Sequence, residues 1–471
     1  MPASLASTAP RAQGRCTIPG VPTDAIGPVL QFPLKHLSSP PPRVLAIVAL
    51  AALAACASHA HAATPGCTLN VASDADIAAS NAFASLVPGS TVCIAPGAYK
   101  RPLAIVGIHG TAAAPIAFVV QPGTGKALFS AGVLLRGTSH VTLSGLDVSL
   151  DPHLGPGSAV TLDVGATHNI VRGLTVHDAF VGITIGSSAG AAGPGNQVVD
   201  NLVRDNWNTG IGVGELSDGN AHDYNVIQRN RVVDSGGHGI DINDANWIAV
   251  RDNLVTSSGT GVNSVRQGGY SGIHLFSREA TTPSSRHGQR TAHNVVSGNT
   301  VTGTRERSTY LACDDGSGSG VCSDGNGIQI DRYASLNELV GNIVSDNAGC
   351  GISVYGAADN VIKGNTVRGN NQQPGRRRFF PGPAEISVSA VDLPSGSTSG
   401  NILVGNAAVT TVNKIPAFYL SDNAGRNAIA PDNRWEQDPR SSPDSSWGPV
   451  YIGRSWHSAG TALRAIAELA R

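Results

Sequence analysis

Asp241, His274 and Gln329 hold the same place in three copies of one short pattern, Gly-Ile-x-apolar, and Asn243, Phe276 and Asp331 stand two residues further on. The pattern occurs as GITI at Gly182, GIGV at Gly210, GIDI at Gly239, GIHL at Gly272, GIQI at Gly327 and GISV at Gly351. A period of two sends its apolar residues to one side, and the residues between and after them to the other. In chain order the first outward place carries Thr184, Gly212, Asp241, His274, Gln329 and Ser353. The second carries Gly186, Gly214, Asn243, Phe276, Asp331 and Tyr355. Acids, a histidine, amides and aromatic rings are thus gathered in the middle and later copies, with Thr and Gly before them. Such a file on a Gly- and Ser-rich surface suits a carbohydrate, because aromatic faces stack on sugar rings while amides and acids bond hydroxyls.

What must position these residues is a repeat. A second unit, Asn-x-apolar-x-x-Asn, recurs as NQVVDN, NVIQRN, NVVSGN, NELVGN, NVIKGN and NILVGN, starting at Asn196, Asn225, Asn294, Asn337, Asn360 and Asn401. The segments are too short for helices, and Gly and Asn mark their breaks, so they read as strand-turn-strand. The same strands recur in order without hairpin turns, which implies a coiling chain whose parallel strands stack on themselves. The expectation is an all-β, right-handed parallel β-helix (a solenoid), with the Asn residues forming internal ladders. At its head, Ser73-Asp74-Ala75-Asp76 is expected to cap a short helix running to about Leu86, before PGSTVCIAPGAY (Pro88 to Tyr99) enters the first coil. At its tail, Ser458 to Arg471 has helical spacing and would form a lid. The longest interruptions, Asn263 to Ser271, Glu279 to Arg290 and Thr304 to Asp324, fall at the level of the polar file. They would build a cleft and bring Arg266, Arg278, Arg286, His287, Arg290, Arg305 and Arg307, a cationic supply for an acidic polysaccharide.

The 471 residues are 41% hydrophobic and include 57 Gly, with 14% charged and 5% aromatic residues, which disfavours a helical bundle. A net charge of −1 gives no reason to expect nucleic acid. Val44 to Ala55 (VLAIVALAALAA) has the length of a signal-peptide core, too short to span a bilayer, with Arg43 before it and Ala60-His61-Ala62 as a cleavage site. The Pro-rich stretch ahead of it suggests an over-extended start. Residues 1–63 are therefore expected to be a leader, 64–435 the β-helix and 436–471 a tail with the capping helix. Export to the periplasm or the medium follows. Leu53-Ala54-Ala55-Cys56 also resembles a lipobox, which would anchor the chain through Cys56. In an oxidising compartment Cys67–Cys93 and Cys313–Cys322 are the natural pairs, leaving Cys350 as a buried thiol. A monomer is expected.

From about Cys67 to Asn433 the chain resembles the right-handed β-helix repeat proteins of the pectate-lyase-like superfamily, on the head TVCIAPGAY and the tandem Asn coils. The resemblance implies a carbohydrate-active protein, foremost a polysaccharide lyase cleaving a uronate-containing glycan by β-elimination. Lyases of this fold take the proton α to the carboxylate with a base and neutralise the carboxylate, often through calcium. Carried onto this sequence, His274 would be the base and Tyr270 the acid, with Arg332 or Arg278 clamping the carboxylate. Asp241, Asp244, Asp324 and Asp331 would be the calcium ligands, although calcium takes about six to eight oxygens. Asp241, Asn243, Phe276, Arg278, Gln329 and Tyr355 would bind the sugar. Two alternatives stand beside this. One is a hydrolase of the same fold using paired Asp, although Gly237-His238-Gly239 lacks the companion motifs of polygalacturonases. The other is a non-catalytic glycan-binding solenoid.

Overall fold

In the computed structural model the described residues run from Gly66 to Ile452, apart from 79–81, 124, 215, 260–269, 279–290, 306–324, 373–382, 391–392, 414 and 442–448. The described chain winds through three parallel sheets in a fixed order, here A, B and C, containing 13, 12 and 12 strands. Within each sheet, strands of successive coils pair in parallel, as in Ile170–Arg172 against Gln197–Val199 in sheet A. This is the right-handed parallel β-helix expected from the repeat. Sheets B and C continue through Arg434–Gln437 and Val450–Ile452, past the boundary expected at 435.

The inward residues are Val, Ile and Leu stacked like on like, among them Ile211, Ile240, Ile273, Ile328 and Ile352, all fully buried. Their burial removes apolar area from water along the whole solenoid, the dominant favourable contribution. The glycine opening each Gly-Ile unit is required by close approach: a Cβ on Gly239 would lie 2.3 Å from Val255 Cγ1 and 2.6 Å from the Gly272 carbonyl oxygen.

Corners are held by amide ladders. From sheet A to sheet B, Asn201, Asn230, Asn253, Asn299, Asn342, Asn365, Asn406 and Asn433 form an unbroken row. Each Nδ2 donates to the next Oδ1 at 2.8 to 3.0 Å. The same Oδ1 also accepts a backbone N–H, as from Asn253 to Asn299 at 2.9 Å. The residue before a ladder Asn is commonly left-handed, as at Asp200, Asp252, Gly298 and Gly341, which is why the repeat reads Asp-Asn or Gly-Asn. From sheet C to sheet A a second row runs through Asn294, Asn337, Asn360, Asn401 and Asn427. From sheet B to sheet C the row is mixed, and its last amide, Asn370, donates 2.6 Å to the carboxylate of fully buried Glu385.

The head of the stack departs from expectation in detail. The helix is a short turn, Asp74–Ala78, and residues 82–85 are already turn. Asp74 does not cap it: its carboxylate accepts the backbone N–H of Lys100 at 3.0 Å, tying the helix to the first coil. Asp76 takes the capping role instead, accepting from the Ala72 and Ser73 N–H groups. A disulfide joins Cys67 to Cys93, Phe83 packs edge-on against Phe118, and Cys350 is a buried free thiol. The Cys313–Cys322 pair and the C-terminal helix lie outside the described residues. Among the described residues no helix is long and apolar enough to cross a membrane.

Candidate functional site

Register brings the expected file together on the outer face of sheet C. Asp241 pairs with His274 and His274 with Gln329; Asn243 pairs with Phe276 beside them, and Asp331 donates its N–H to the Leu275 carbonyl. Two of the long interruptions enter between sheets B and C, after Leu254–Thr256 and after Thr300–Thr302. The third enters between Ser271–Phe276 of sheet C and Val295–Ser297 of sheet A. They join the solenoid at opposite edges of the strand that carries His274. Arg266, Arg286, His287, Arg290, Arg307 and Asp324 lie outside the described residues.

His274 is the hub. Its Nδ1 lies 2.9 Å from Asp241 Oδ1 and its Nε2 lies 3.5 Å from Asp331 Oδ2. The ring is nearly buried, its side chain 9% exposed, while Asp241 and Asp331 keep 22% and 15%. Burial works against charge on this imidazole, but the two carboxylates outweigh it and push its pKa up to about 10, so His274 rests as imidazolium. Burial likewise opposes ionisation of Asp241, yet the neighbouring histidines hold its carboxyl below the usual range. In that state the ring is an acid, whereas the sequence suggested a base. It is a proton donor flanked by two acceptors.

Directly on the His274 ring lies a residue that reading by outward columns missed. His238 stacks face to face with it, centroids 4.3 Å apart and planes 4° from parallel, and meets the Tyr270 ring edge-on at 5.4 Å. Its Nδ1 accepts the Ser271 N–H at 3.1 Å, which leaves the proton of the neutral ring on Nε2. Burial, and then the charge of His274, pull its pKa down to about 4. The missed signal is the position before each Gly-Ile unit, which reads His238, Ser271, Asn326 and Cys350. There His238 and Asn326 accept the N–H of the next coil, Asn326 from Cys350 at 2.8 Å.

The remaining expected residues divide. Tyr270 is buried, its ring edge-on to His238. Phe276 stacks loosely on His274 at 5.8 Å, and Asn243 and Tyr355 are half-buried on the same face. Arg332 is exposed next to Asp331, its Nε 3.9 Å from Oδ1. Gln329 is 2% exposed, and its Oε1 accepts from Ser271 Oγ at 2.7 Å and Asn326 Nδ2 at 3.0 Å, so this atom braces the floor. Asp244 is turned inward by a positive φ of 51° and is fully buried, accepting from Ser277 Oγ at 3.0 Å and the Arg278 N–H at 3.1 Å.

Among the described residues, the acids expected as calcium ligands are otherwise engaged. Asp241 and Asp331 are engaged with His274, and Asp244 with Ser277 and Arg278. The cluster His238, Asp241 and His274, whose ligand atoms lie within 4.8 Å of one another, is nitrogen-rich. His238 Nδ1 already accepts the Ser271 N–H, and His274 Nδ1 faces Asp241.

The family model described as "Right handed beta helix region" matches residues 129–282. No curated protein matches the sequence. Among solved structures, the A-module of the mannuronan C-5 epimerase AlgE4 from Azotobacter vinelandii is similar with a TM-score of 0.51 and 13% identity, over 78% of this chain and 91% of that one. The Dettilon tailspike protein (gp208) gives 0.50 and 15%, over 77% and 62%. An alginate lyase from Paenibacillus sp. gives 0.42 and 16%, over 65% and 95%. At these identities the likeness is one of fold, and the chain has the right-handed parallel β-helix fold.

Proposed function

We propose that the protein is an exported carbohydrate-active enzyme that cleaves an acidic, uronate-containing polysaccharide by β-elimination. The observation that carries this reading is the Asp241–His274–Asp331 relay on the outer face of sheet C, at the level where the insertions enter. A base removes the C5 proton, the C4–O4 bond breaks, a C4–C5 double bond forms and O4 takes a proton. His274, held as imidazolium, supplies the proton to O4. Asp331, partly exposed and at the longer of the two His274 contacts, accepts the proton from C5. Asp241 orients and stabilises the imidazolium, and His238 and Tyr270 fix its plane. Exposed Arg278 and Arg332, 58% and 49% accessible, are placed to receive the sugar carboxylate. The disulfide between Cys67 and Cys93 favours the exported location.

A hydrolase is the second reading, favoured by one observation: two carboxylates flank one proton donor and could act as acid and base on a glycosidic bond. Incubation with pectate, alginate and glycosaminoglycans separates the two. Unsaturated products absorbing in the ultraviolet are expected, whereas new reducing ends without that absorbance would overturn the lyase. Calcium is a separate proposal through which no step is routed. Loss of activity or of melting temperature in chelator would support it, and no change would remove it.

A further inference from the structure

The column that holds Asn243, Phe276 and Asp331 runs back toward the head of the stack, and four coils before Asn243 it is not occupied by inert surface. Register carries it back from Asn243 through Gly214, Gly186 and Asp163 to Arg136. Asp163 is buried, its side chain 2% exposed, and holds the Arg136 guanidinium by Nε at 3.1 Å and Nη2 at 2.8 Å. Ser187 Oγ braces the same carboxylate at 3.0 Å. The fork fixes the guanidinium plane while leaving Nη1, on a side chain that is 43% exposed, without a hydrogen bond among the described residues. Beyond the pair, Gly186 and Gly214 put no side chain in the way.

The result is a trough of about 940 Å³ lined by Arg136, Thr161, Thr184, Gly186, Gly214 and Arg278, among others. Its charge pattern is one-sided. The two acids, Asp163 and Asp244, lie at 2% and 0% side-chain exposure beneath the surface, while their arginine partners reach 43% and 58%. What a ligand meets is therefore guanidinium, rigidly held, over a hydroxyl-bearing floor. A guanidinium fixed by a buried carboxylate loses little freedom on binding an anion, and its planar donors suit a carboxylate.

We propose that this trough is a binding subsite for an acidic sugar residue remote from the reacting bond, with Arg136 receiving the sugar carboxylate and the Gly186–Gly214 gap seating the ring. The inference deepens the proposed function and rests on its substrate class, not on its reaction.

The test is calorimetric titration of the full chain carrying His274→Gln, which prevents turnover, with oligogalacturonate, oligomannuronate and glucuronate-containing oligomers and with their carboxyl-reduced forms. Two variants probe the trough. Arg136→Gln with Asp163→Asn removes the pair without stranding a buried charge. Gly214→Leu fills the gap at a backbone that accepts a side chain, the nearest atom to its Cβ being 3.5 Å away. At least one acidic oligomer should bind. Each variant should weaken it roughly tenfold or more, and carboxyl reduction should weaken binding by a clearly smaller factor in the Arg136 variant than in the parent. Equal binding by both variants and the parent, equal binding of reduced oligomers, or no binding to any acidic oligomer would overturn the inference. Unsaturated product from the wild type with unchanged variant binding sinks the subsite and leaves the lyase. Arg136-dependent binding without product does the reverse.

Discussion

His274 holds its proton between two carboxylates. Alternation placed it on the outer face beside Asp241, but its two carboxylate neighbours come from strands 33 and 57 residues away. No local pattern announces that both converge on one ring. Asp244 was expected as a calcium ligand, and the left-handed turn at the strand end buries it. A proton held this firmly has consequences. His274→Gln is expected to lower kcat by about 10²–10⁴-fold with a much smaller change in KM, measured as initial rate of ultraviolet absorbance. Because the donor titrates near 10 rather than 6.5, wild-type activity should persist into alkaline solution and fall only as pH approaches about 10. An activity loss centred near 6.5 would refute the assignment. Stability follows the same groups. The imidazolium's contribution is complete below about pH 6.5 and gone above about 10. That of His238, neutral in the fold, is complete above 6.5 and lost as pH falls toward 4.

At the scale of elements the sequence was at its most readable, because a ladder demands the same residue at the same place in each coil. The Asn repeats therefore reported both corner position and register before any coordinates. Asn342 shows what each rung holds: its Nδ2 donates to the Val296 carbonyl and to Asn365, and its Oδ1 accepts twice from Asn299. Asn342→Ala leaves those buried groups unmatched and should cost about 2 kcal/mol or more in denaturant unfolding. The B-to-C row was not legible, since it mixes Asn with hydroxyls and closes on Glu385. Burial raises that carboxyl, against the lowering effect of the Asn370 bonds, to about 7. A raised acid is most stabilising while protonated, so its contribution is full below about pH 4.5 and lost as pH climbs through 7. Glu385→Gln keeps an acceptor for Asn370 and removes the proton linkage. Its melting temperature should match or exceed that of wild type above pH 7 and depend less on pH between 5 and 8. An unchanged pH dependence would show that Glu385 does not titrate in the fold.

For the whole molecule the solenoid turns coil number into length. The strands from Val133–Arg136 to Ser271–Phe276 are five spacings apart in sheet C, about 24 Å at about 4.8 Å each. A pyranose with its glycosidic oxygen is about as long as one spacing, so a chain lying along the axis would place successive sugars over successive coils. Two features of the sequence pointed toward such a groove without defining it: the Thr and Gly of the early copies, and the polar residues of the middle ones. The pairing that closes its far end, Arg136 on Asp163, was hidden because those strands precede the regular Gly-Ile units. If remote sugars contribute binding energy that is spent at the reacting bond, longer substrates gain in kcat and not only in affinity. For an acidic oligomer series, kcat/KM should rise with each added sugar until the chain spans from His274 to Arg136, at about six residues, and then level off. In the Arg136→Gln, Asp163→Asn variant the rise should stop one or two sugars earlier, with cleavage of the shortest substrates unaltered. A length profile identical to that of the wild type would mean that the trough takes no part in holding the chain.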